Sequence, residues 1–506
     1  MPSKVFSAAI AGLDAKLVEI EVDVSKGLRS FTIVGLADKA VEESKERIEA
    51  AIKSAKLLSP HSRTFRILVN LAPADLKKEG SLYDLPIALA FLMASGQTKL
   101  NSQKKLCLGE LSLDGTLRPI KGALSFALLA KKLGFTEIIL PKHNAREAAL
   151  IKEVNIIGAE TLGQALAHLE GRNVIAPLVL DREDLQKHGN DSVDISWIQG
   201  QEYAKRALEI TAAGAHNLFF FGPPGGGKSL LAKSLPSILP SLTFEESLEV
   251  TKIYSVAGLL QDGQTLVSHR PFRMPHHVSS DVALVGGGSP PRPGEITLAH
   301  RGVLFLDEFP EFHRDVLESL RQPIEDGKIT ISRAKHSFSF PSRFMLVGAS
   351  NTCPCGYLNS PDIACTCSNA QISMYKRKLS GPLMDRMDIF IEVPAVKFEK
   401  LISTGIDGRS TAMKENIEKA RTLQTARFAG SKVLVNAEMQ IPEIKKYCAY
   451  DSQSESLLKK YVDSGKLSAR GYHRILKVAR TIADLAASSN IKYDHIAEAL
   501  MYRIKS

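Results

Sequence analysis

A glycine-rich run that ends in a lysine and a hydroxyl lies near the middle of the chain. It consists of Gly222, Pro223, Pro224, Gly225, Gly226, Gly227, Lys228 and Ser229. An apolar run precedes it and a helix-forming run follows it, so the sequence predicts a strand, a loop and a helix. In such a loop backbone N–H groups converge on phosphate oxygens, the lysine adds positive charge and the hydroxyl binds Mg²⁺. The pattern predicts a nucleotide-phosphate site, and a fortuitous glycine turn is the alternative.

Two carboxylates close a second apolar run further along the chain. Residues 303–306 are apolar and are followed directly by Asp307 and Glu308, the pattern of a strand buried on both faces of a parallel sheet. Such a strand delivers its acids at the carboxyl edge of the sheet. We expect Asp307 to hold Mg²⁺ and Glu308 to orient a water molecule for attack on the terminal phosphate. The alternative is that the two acids cap the next helix.

Two further side chains extend this prediction to nucleotide hydrolysis. Asn351 ends the apolar run 344–350, and it would lie beside the terminal phosphate if that strand lay between the two motif strands. Arg386 precedes a strand-like run and is predicted to reach the phosphate bound by a neighbouring subunit, where positive charge accelerates transfer. An ion pair of Arg386 with Asp385 or Asp388 is the alternative.

A second functional arginine is predicted in the carboxyl-terminal helices. Arg470 opens a helix in the run 468–474. We expect its guanidinium to sense the nucleotide bound to its own chain, with Arg474 as the reserve candidate.

Four of the six cysteines lie in one loop just after Asn351, namely Cys353, Cys355, Cys365 and Cys367. Two close pairs of thiolates joined by a short loop suit a tetrahedral zinc site. The spacing within each pair is Cys-x-Cys, which departs from the commoner Cys-x₂-Cys. Free thiols or a redox pair are the alternative, and Cys107 and Cys448 are expected to be buried small apolar side chains.

The elements that position these residues fall into several domains, since 506 residues exceed a single core. We predict an α+β domain over 1–170, a linker over 171–196, an α/β nucleotide-binding core over 197–395 and an all-helical lid over 396–506. The fold class is therefore multidomain α/β.

Bulk composition limits the class of protein. The chain is 44% hydrophobic and 24% charged, as in ordinary globular proteins, and its longest apolar run, 85–94, is too short to span a bilayer. The first residues do not form a sustained signal core, so we expect no export and a cytoplasmic location. A net charge of +10 favours a polyanionic partner such as nucleic acid, although a solvated basic surface is the alternative.

The motifs together resemble one family. The runs 270–277, 285–289, 293–300, 330–333 and 381–386, with the two nucleotide motifs, look like the magnesium-chelatase-related AAA+ ATPases of the YifB/ComM group, and the resemblance extends over essentially the whole chain. It implies an ATP- and Mg²⁺-dependent ring motor, hexameric, with an insert in helix 2 and a hairpin before the Asn351 strand. It also assigns Asn351, Arg386 and Arg470 as sensor 1, the trans arginine finger and sensor 2. Gly226 stands where these loops often carry Thr or Ser.

The same resemblance implies a nucleic-acid partner. Members of the ComM type are DNA translocases that drive branch migration, so single-stranded or branched DNA is the expected partner. The segments expected to contact DNA are the glycine-rich insert 286–289 and the hairpin that contains Arg333, Lys335 and His336. An alternative for Arg333 and Lys335 is pairing with acids at a subunit seam.

The amino-terminal domain resembles the proteolytic domain of Lon proteases, a ribosomal S5 domain 2-like fold. Such enzymes use a serine nucleophile and a lysine base. The alignment places Asp84 at the serine position and Leu124 near the lysine, with Ser81 and Lys121 close by in sequence. We therefore expect no proteolysis and a role as scaffold, ring builder or DNA clamp.

Three functions are consistent with these patterns. The first is an ATP-driven hexameric DNA translocase or branch-migration helicase in DNA uptake or recombination. The second is the motor of a metal-chelatase complex that acts on a tetrapyrrole, and the third is a remodeller of proteins or a regulatory ATPase scaffold. Stimulation of ATP turnover by DNA would distinguish the first from the others.

Overall fold

The protein is described here from a computed structural model. Placement is described for residues 2–62, 64–181, 193–261, 263–289, 291–332, 337–358, 363–379, 381, 383–395, 409–465 and 467–503. Contacts divide the chain into unit one, Met1–His188 with Ser247–Ser268, and unit two, Gly189–Glu246 with His269–Ser506. The domain boundaries given by the sequence remain predictions, because compact units need not coincide with domains.

Unit one is built on a seven-stranded mixed sheet. Its strands, together with the small hairpin β6–β7, are β1 (Ser3–Ala11), β2 (Asp14–Lys26), β3 (Ser30–Val34), β4 (Phe65–Ala72), β5 (Lys105–Cys107), β6 (Glu110–Leu111), β7 (Leu117–Arg118), β8 (Glu137–Pro141) and β9 (Asn155–Ala159). The order in the large sheet is β3-β4-β2-β1-β5-β8-β9. β1 and β2 form an antiparallel hairpin, whereas β3 pairs in parallel with β4.

Helices cover this sheet. They are α1 (Lys39–Glu42), α2 (Ser44–Ser54), α3 (Asp84–Ala94), α4 (Ala123–Leu133), α5 (Lys142–Ala148) and α6 (Leu162–Leu169). α3 is the apolar run 85–94 of the sequence, and all its residues from Asp84 to Leu92 are buried. It forms the centre of the hydrophobic core of unit one, together with buried side chains of β1, β2 and β4.

Unit two contains a five-stranded parallel sheet and two short hairpins. Its strands are β10 (Leu218–Phe221), β11 (Phe272–Arg273), β12 (Gly286–Gly287), β13 (Arg292–Pro293), β14 (Val303–Leu306), β15 (Lys328–Ser332), β16 (Ser337–Pro341), β17 (Met345–Ser350) and β18 (Ile389–Glu392). The sheet order is β11-β14-β17-β10-β18, and every pairing in it is parallel. β14 and β17 are buried at every residue, as a strand covered on both faces must be.

Helices follow the strands of this sheet and then dominate the carboxyl-terminal part. They are α7 (Glu202–Gly214), α8 (Lys228–Ile238), α9 (Phe244–Ala257), α10 (Asp281–Val285), α11 (Glu295–Leu298), α12 (Arg314–Ser319), α13 (Arg321–Asp326), α14 (Asn369–Lys378), α15 (Arg409–Arg427), α16 (Ile441–Tyr447), α17 (Ser452–Asp463), α18 (Ala469–Leu485) and α19 (Tyr493–Met501). The helices from α15 onward share one hydrophobic core with α7, α8 and the sheet. The predicted multidomain α/β character with a helical carboxyl terminus is confirmed.

One segment of the predicted nucleotide-binding core belongs to unit one. Most of α9 and the chain up to Ser268 pack there, and Ser255 donates its hydroxyl to the Glu147 carboxylate while its carbonyl accepts from the backbone N–H of Gly122. The backbone N–H of Leu124 also donates to Glu147, at 2.7 Å. The side chains of this segment therefore complete the core of unit one.

No helix among the described residues combines the length and the hydropathy that a membrane span needs.

Candidate nucleotide site

The phosphate loop connects β10 to α8, as the sequence predicted. Gly222 has φ +155°, and a Cβ there would lie 2.2 Å from the carbonyl oxygen of Val393, so only glycine fits this turn. Gly227 adopts a left-handed conformation directly before the first residue of α8. The loop thereby directs the amino terminus of α8, with its free N–H groups, toward the position of a bound phosphate.

Lys228 is held across the mouth of this loop. Its ammonium donates to the carbonyl oxygens of Gly222 and Pro223, each at 2.8 Å, and to Oδ1 of Asn351 at 3.1 Å. Burial lowers the pKa of Lys228, and the nearby Asp307 carboxylate opposes that shift. The lysine is therefore placed as a compact positive charge at the loop, next to the predicted sensor residue.

Asp307 and Ser229 meet at the same edge. The Ser229 hydroxyl donates to Oδ2 of Asp307 at 2.6 Å, and Oδ1 of Asp307 accepts the backbone N–H of Glu308 at 2.9 Å. A carboxylate next to a hydroxyl is the pair of hard oxygen donors that Mg²⁺ takes from a protein that binds nucleotides. The residues present fit this ion.

Glu308 has an unusual backbone. Its φ of +50° lies in the left-handed region that non-glycine residues rarely adopt, at a cost of about 1–3 kcal/mol. The side chain is 59% exposed, and one carboxylate oxygen lies 3.4 Å from Nδ1 of His277. Glu308 stands at the N-cap position of the 3₁₀ turn Phe309–Glu311, but its side chain makes no cap hydrogen bond there. His277 was not predicted, although it lies in the run 270–277 on which the resemblance rests.

Asn351 follows β17, which lies between β10 and β14 as the sequence argument required. The carboxyl ends of these three parallel strands bring together Lys228, Ser229, Asp307 and Asn351. Gln201, which sequence reasoning missed, donates from Nε2 to the carbonyl of Pro394 at 2.8 Å. It ties the chain before α7 to the segment that faces the phosphate loop.

Arg386 and Arg470 lie at the other edge of the sheet. Arg386 comes before β18, and its carbonyl accepts from Nδ2 of Asn217, the residue before β10, at 3.1 Å. Arg386, Arg470 and Arg474 line one cleft of about 170 Å³. β10 separates this amino edge from the phosphate loop by about 13 Å. Arg470 shares this cleft with Arg386, and its role as a nucleotide sensor stays a prediction.

Two arginines of this cleft have acidic partners. Nη2 of Arg386 donates to the Glu325 carboxylate, a partner that the sequence did not suggest. Asp388 pairs with Arg474, whose Nη1 lies 2.5 Å from Oδ1. Burial alone would raise the pKa of Asp388, but Arg474 and His216 hold it well below its usual range. Arg474 therefore has a structural ion pair.

The four cysteines after Asn351 form one cluster. Their sulfur atoms all lie within 4.8 Å of one another, and the Sγ separations are 3.4 Å between Cys353 and Cys355, 3.7 Å between Cys353 and Cys365, and 3.5 Å between Cys355 and Cys365. A regular ZnS₄ tetrahedron with Zn–S bonds of about 2.3 Å has sulfur separations of about 3.8 Å. The cluster therefore fits zinc in donor type, donor number and geometry.

The predicted DNA contacts Arg333, Lys335 and His336 lie outside the described residues. The flanking strands β15 and β16 pair in antiparallel register, with Ser332 opposite Ser337. The glycine-rich insert begins with β12, whose Gly286 lies opposite Pro293 of β13. One antiparallel strand pair therefore flanks the segment with Arg333, Lys335 and His336, and the glycine-rich insert begins in another.

The protease-like positions of unit one carry structural contacts. Asp84 is fully buried, accepts from Nε and Nη2 of Arg47 at 2.7 and 3.0 Å, and accepts the backbone N–H of Leu111 at 3.1 Å. Burial raises its pKa to about 6 although Arg47 opposes the shift. The Ser81 hydroxyl donates to Glu110, an acid rather than the lysine that serine–lysine catalysis needs.

Comparison with known proteins identifies the family. Residues 194–401 match the family model described as "Magnesium chelatase, subunit ChlI", residues 20–144 match "Subunit ChlI of Mg-chelatase", and residues 407–503 match "Magnesium chelatase, subunit ChlI C-terminal". The chain belongs to the magnesium-chelatase-like AAA+ family of ComM and YifB. Membership of this family implies ATPase activity with ATP and Mg²⁺.

Relatives match over very different lengths. Competence protein ComM of Haemophilus influenzae is 44% identical over 505 residues, which cover 99% of this chain and 97% of the relative. Uncharacterized protein YifB of Escherichia coli is 42% identical over 506 residues, with 99% and 97% coverage. The magnesium-chelatase 38 kDa subunit of Rhodobacter capsulatus is 29% identical over 174 residues, which cover 31% of this chain and 49% of the relative.

Proposed function

We propose that this chain is an ATP-driven ring motor, hexameric, that translocates on DNA during uptake or recombination. The observation that carries the proposal is the separation of the two halves of the site. Lys228, Ser229, Asp307 and Asn351 meet at the carboxyl edge of the sheet, whereas Arg386 and Arg470 line a cleft at the amino edge. Two complementary half-sites on opposite edges are joined when one copy of the chain follows another around a ring.

In this proposal the loop 222–229 binds the phosphates of ATP through its backbone N–H groups, with Lys228 on the β- and γ-phosphates. Ser229 and Asp307 would hold Mg²⁺, which would neutralise phosphate charge. Glu308 orients the attacking water and Asn351 fixes its position. Arg386 of the next subunit stabilises the charge that develops on the γ-phosphoryl oxygens, and Arg470 acts on the same neighbouring nucleotide rather than on its own.

DNA is the proposed track. The full-length relative from Haemophilus influenzae is named a competence protein, which supports a role in handling incoming DNA. The net charge of +10 supports a polyanionic partner, because bound lysines and arginines release counterions from phosphates. Arg333, Lys335 and His336 are the proposed contacts, and we place the activity in the cytoplasm, where recombining DNA is found.

The test is the ATP hydrolysis rate with and without single-stranded or forked DNA, together with particle mass in ATP. We expect DNA to raise the hydrolysis rate roughly tenfold and the particle to have the mass of six chains. The stimulation should fall steeply between 50 and 200 mM salt, because proteins that contact DNA phosphates lose about 10³–10⁵ in DNA affinity over this range. A rate that ignores DNA at low salt but rises with a protein partner or a tetrapyrrole-chelatase complex would favour the remodelling or chelatase alternative. The shared segment with the Rhodobacter capsulatus subunit supports the chelatase alternative over only 31% of this chain.

We also propose that Cys353, Cys355, Cys365 and Cys367 hold a structural Zn²⁺. The near-tetrahedral spacing of their sulfurs supports this assignment. Unit one, with Asp84 tied to Arg47, is proposed to act as a scaffold without proteolytic activity.

A further inference from the structure

The cysteine loop packs directly on the phosphate loop. A Cβ placed on Gly356 would lie 2.7 Å from Cδ of Pro224 and 3.7 Å from Cγ of Asn351. A methyl group at Gly356 would thus press against Pro224 of the phosphate loop and would reach ordinary van der Waals distance from the predicted sensor residue. No side chain larger than a hydrogen fits at this position without moving Pro224.

The cysteines fix this contact from the amino-terminal side. The backbone N–H of Gly356 donates to the carbonyl of Cys353 at 2.9 Å, and the Thr352 hydroxyl donates to the carbonyl of Gly356 at 3.0 Å. Cys353 itself is fully buried. The turn 353–356 therefore moves as one piece with the sulfur cluster.

Helix α14 continues the chain beyond the last cysteine. It begins directly after Cys367 with a capping box between Ser368 and Gln371. Tyr375 on this helix is buried, and burial raises the pKa of its hydroxyl to about 12, a shift that the nearby backbone of Asn351 opposes. The helix that follows the four cysteines therefore lies close to Asn351.

The sulfur geometry favours a shared metal over disulfides. Three cysteine sulfurs lie 3.4–3.7 Å apart in all pairwise combinations, whereas a disulfide joins two sulfurs at about 2.05 Å and excludes the others. Backbone N–H groups of Cys355 and Leu358 donate to the sulfurs of Cys367 and Cys353, both at 3.3 Å. Such donation stabilises thiolates that share a cation.

We propose that the zinc held by these four cysteines is a positioning element of the ATP site, so that metal occupancy sets nucleotide affinity and turnover through Gly356, Pro224 and Asn351. Loss of the metal frees the turn 353–356 and the start of α14, and the phosphate loop and the sensor lose a common support. The turnover part rests on the proposed ATPase function, while the metal content and the nucleotide affinity do not.

The first experiment uses the full chain purified without chelators. Elemental analysis is expected to give about one zinc per chain, and binding of a fluorescent ATP analogue gives the Kd. Cys353→Ser and Cys365→Ser should each lose the metal and raise the Kd at least about tenfold, because loss of a residue that orients a metal site changes affinity or activity by about this factor. Cys448→Ala, a buried cysteine of the same unit outside the cluster, should retain both zinc and affinity.

A second pair of variants separates the contact from metal loss and misfolding. Gly356→Ala keeps all four cysteines but inserts a methyl group against Pro224, so it should retain zinc and still raise the Kd several-fold. Gly430→Ala is the matched control, since Gly430 has φ +79° against +87° for Gly356 but has no atom within 4 Å of the added Cβ. It should change neither quantity.

The outcomes separate the inference from the proposed function. Wild-type protein that binds nucleotide yet contains no zinc overturns the metal site. Cysteine variants that lose zinc with unchanged Kd and unchanged kcat overturn the coupling. A zinc-dependent nucleotide affinity in a protein without ATP turnover supports the inference and overturns the proposed function.

Discussion

Mixing two inactive variants should restore ATP hydrolysis if each site is shared between neighbours. Lys228→Ala removes the phosphate-binding ammonium, and Arg386→Ala removes the guanidinium at the opposite edge of the sheet. Each variant alone should fall to about one-thousandth of the wild-type rate or less, the effect of removing an arginine finger. We call the interface between two neighbouring chains, with its shared ATP site, a seam. In a mixed ring a seam is intact where an Arg386→Ala chain binds the nucleotide and a Lys228→Ala chain supplies the arginine.

The expected recovery follows from counting seams. If a fraction f of the chains carries one variant and assembly is random, intact seams make up f(1 − f) of the total. The maximum is about a quarter of the wild-type rate at equal amounts, roughly 250-fold above either variant alone. The assay is steady-state ATP hydrolysis across the mixing ratio, at constant total protein and after subunit exchange has been verified by mass.

A second mixture controls for this result. Lys228→Ala mixed with Glu308→Gln should show no recovery at any ratio, because both changes damage the half-site of the chain that binds the nucleotide. If Lys228→Ala and Arg386→Ala also stay inactive at every ratio in verified mixed rings, Arg386 acts within its own chain or only through its ion pair. A strictly monomeric protein that hydrolyses ATP at full rate on dilution would refute the shared site as well.

Three further predictions concern other parts of the molecule. Glu308→Gln should bind ATP with wild-type affinity but hydrolyse it at least about 100-fold more slowly in a single-turnover assay, and normal turnover would remove its water-orienting role. Arg47→Met leaves the fully buried Asp84 carboxylate without its ion-pair partner, so it should lower the stability of unit one by about 3–5 kcal/mol, measured by hydrogen exchange of α3. The control Arg118→Met, at an exposed ion pair, should change this stability by about 1 kcal/mol or less. Equal effects of the two variants would contradict the argument. The folded-state pKa of Asp388 is depressed, so its ionised form stabilises unit two above the unfolded pKa of 3.8, and this contribution is lost as pH falls below that value. The difference in melting temperature between wild type and Asp388→Asn should therefore be large at pH 7 and shrink below pH 4. A difference that stays constant with pH would refute the assignment.

Much of the nucleotide site could be read from the sequence because its parts are local. A short apolar run followed by a polar residue predicts a buried strand that ends at the carboxyl edge, and this argument located Lys228, Asp307 and Asn351. The cysteine cluster was also predicted, since its four residues lie within 15 positions, Cys353 to Cys367. Periodicity cannot tell which core a helix joins, so the sequence did not indicate that most of α9 and the chain up to Ser268 pack in unit one.

The partners of the arginines required the fold. Arg386 and Glu325 are 61 positions apart, and Arg474 and Asp388 are 86 apart. Residues close in sequence, such as Asp385, were the natural candidates for Arg386. The actual choice depends on which elements the sheet order places side by side.

The sequence by itself determined the chemistry of the phosphate loop, the two carboxylates and the four thiols, because residue type and short spacing are enough to define a local motif. The tertiary structure decided that Arg386 and Arg470 lie at the edge opposite to Lys228, and that Gly356 closes the cysteine loop against Pro224. Both facts depend on strand order and on contacts between distant segments. Those follow from burying apolar strands and helices together, and no local pattern contains them.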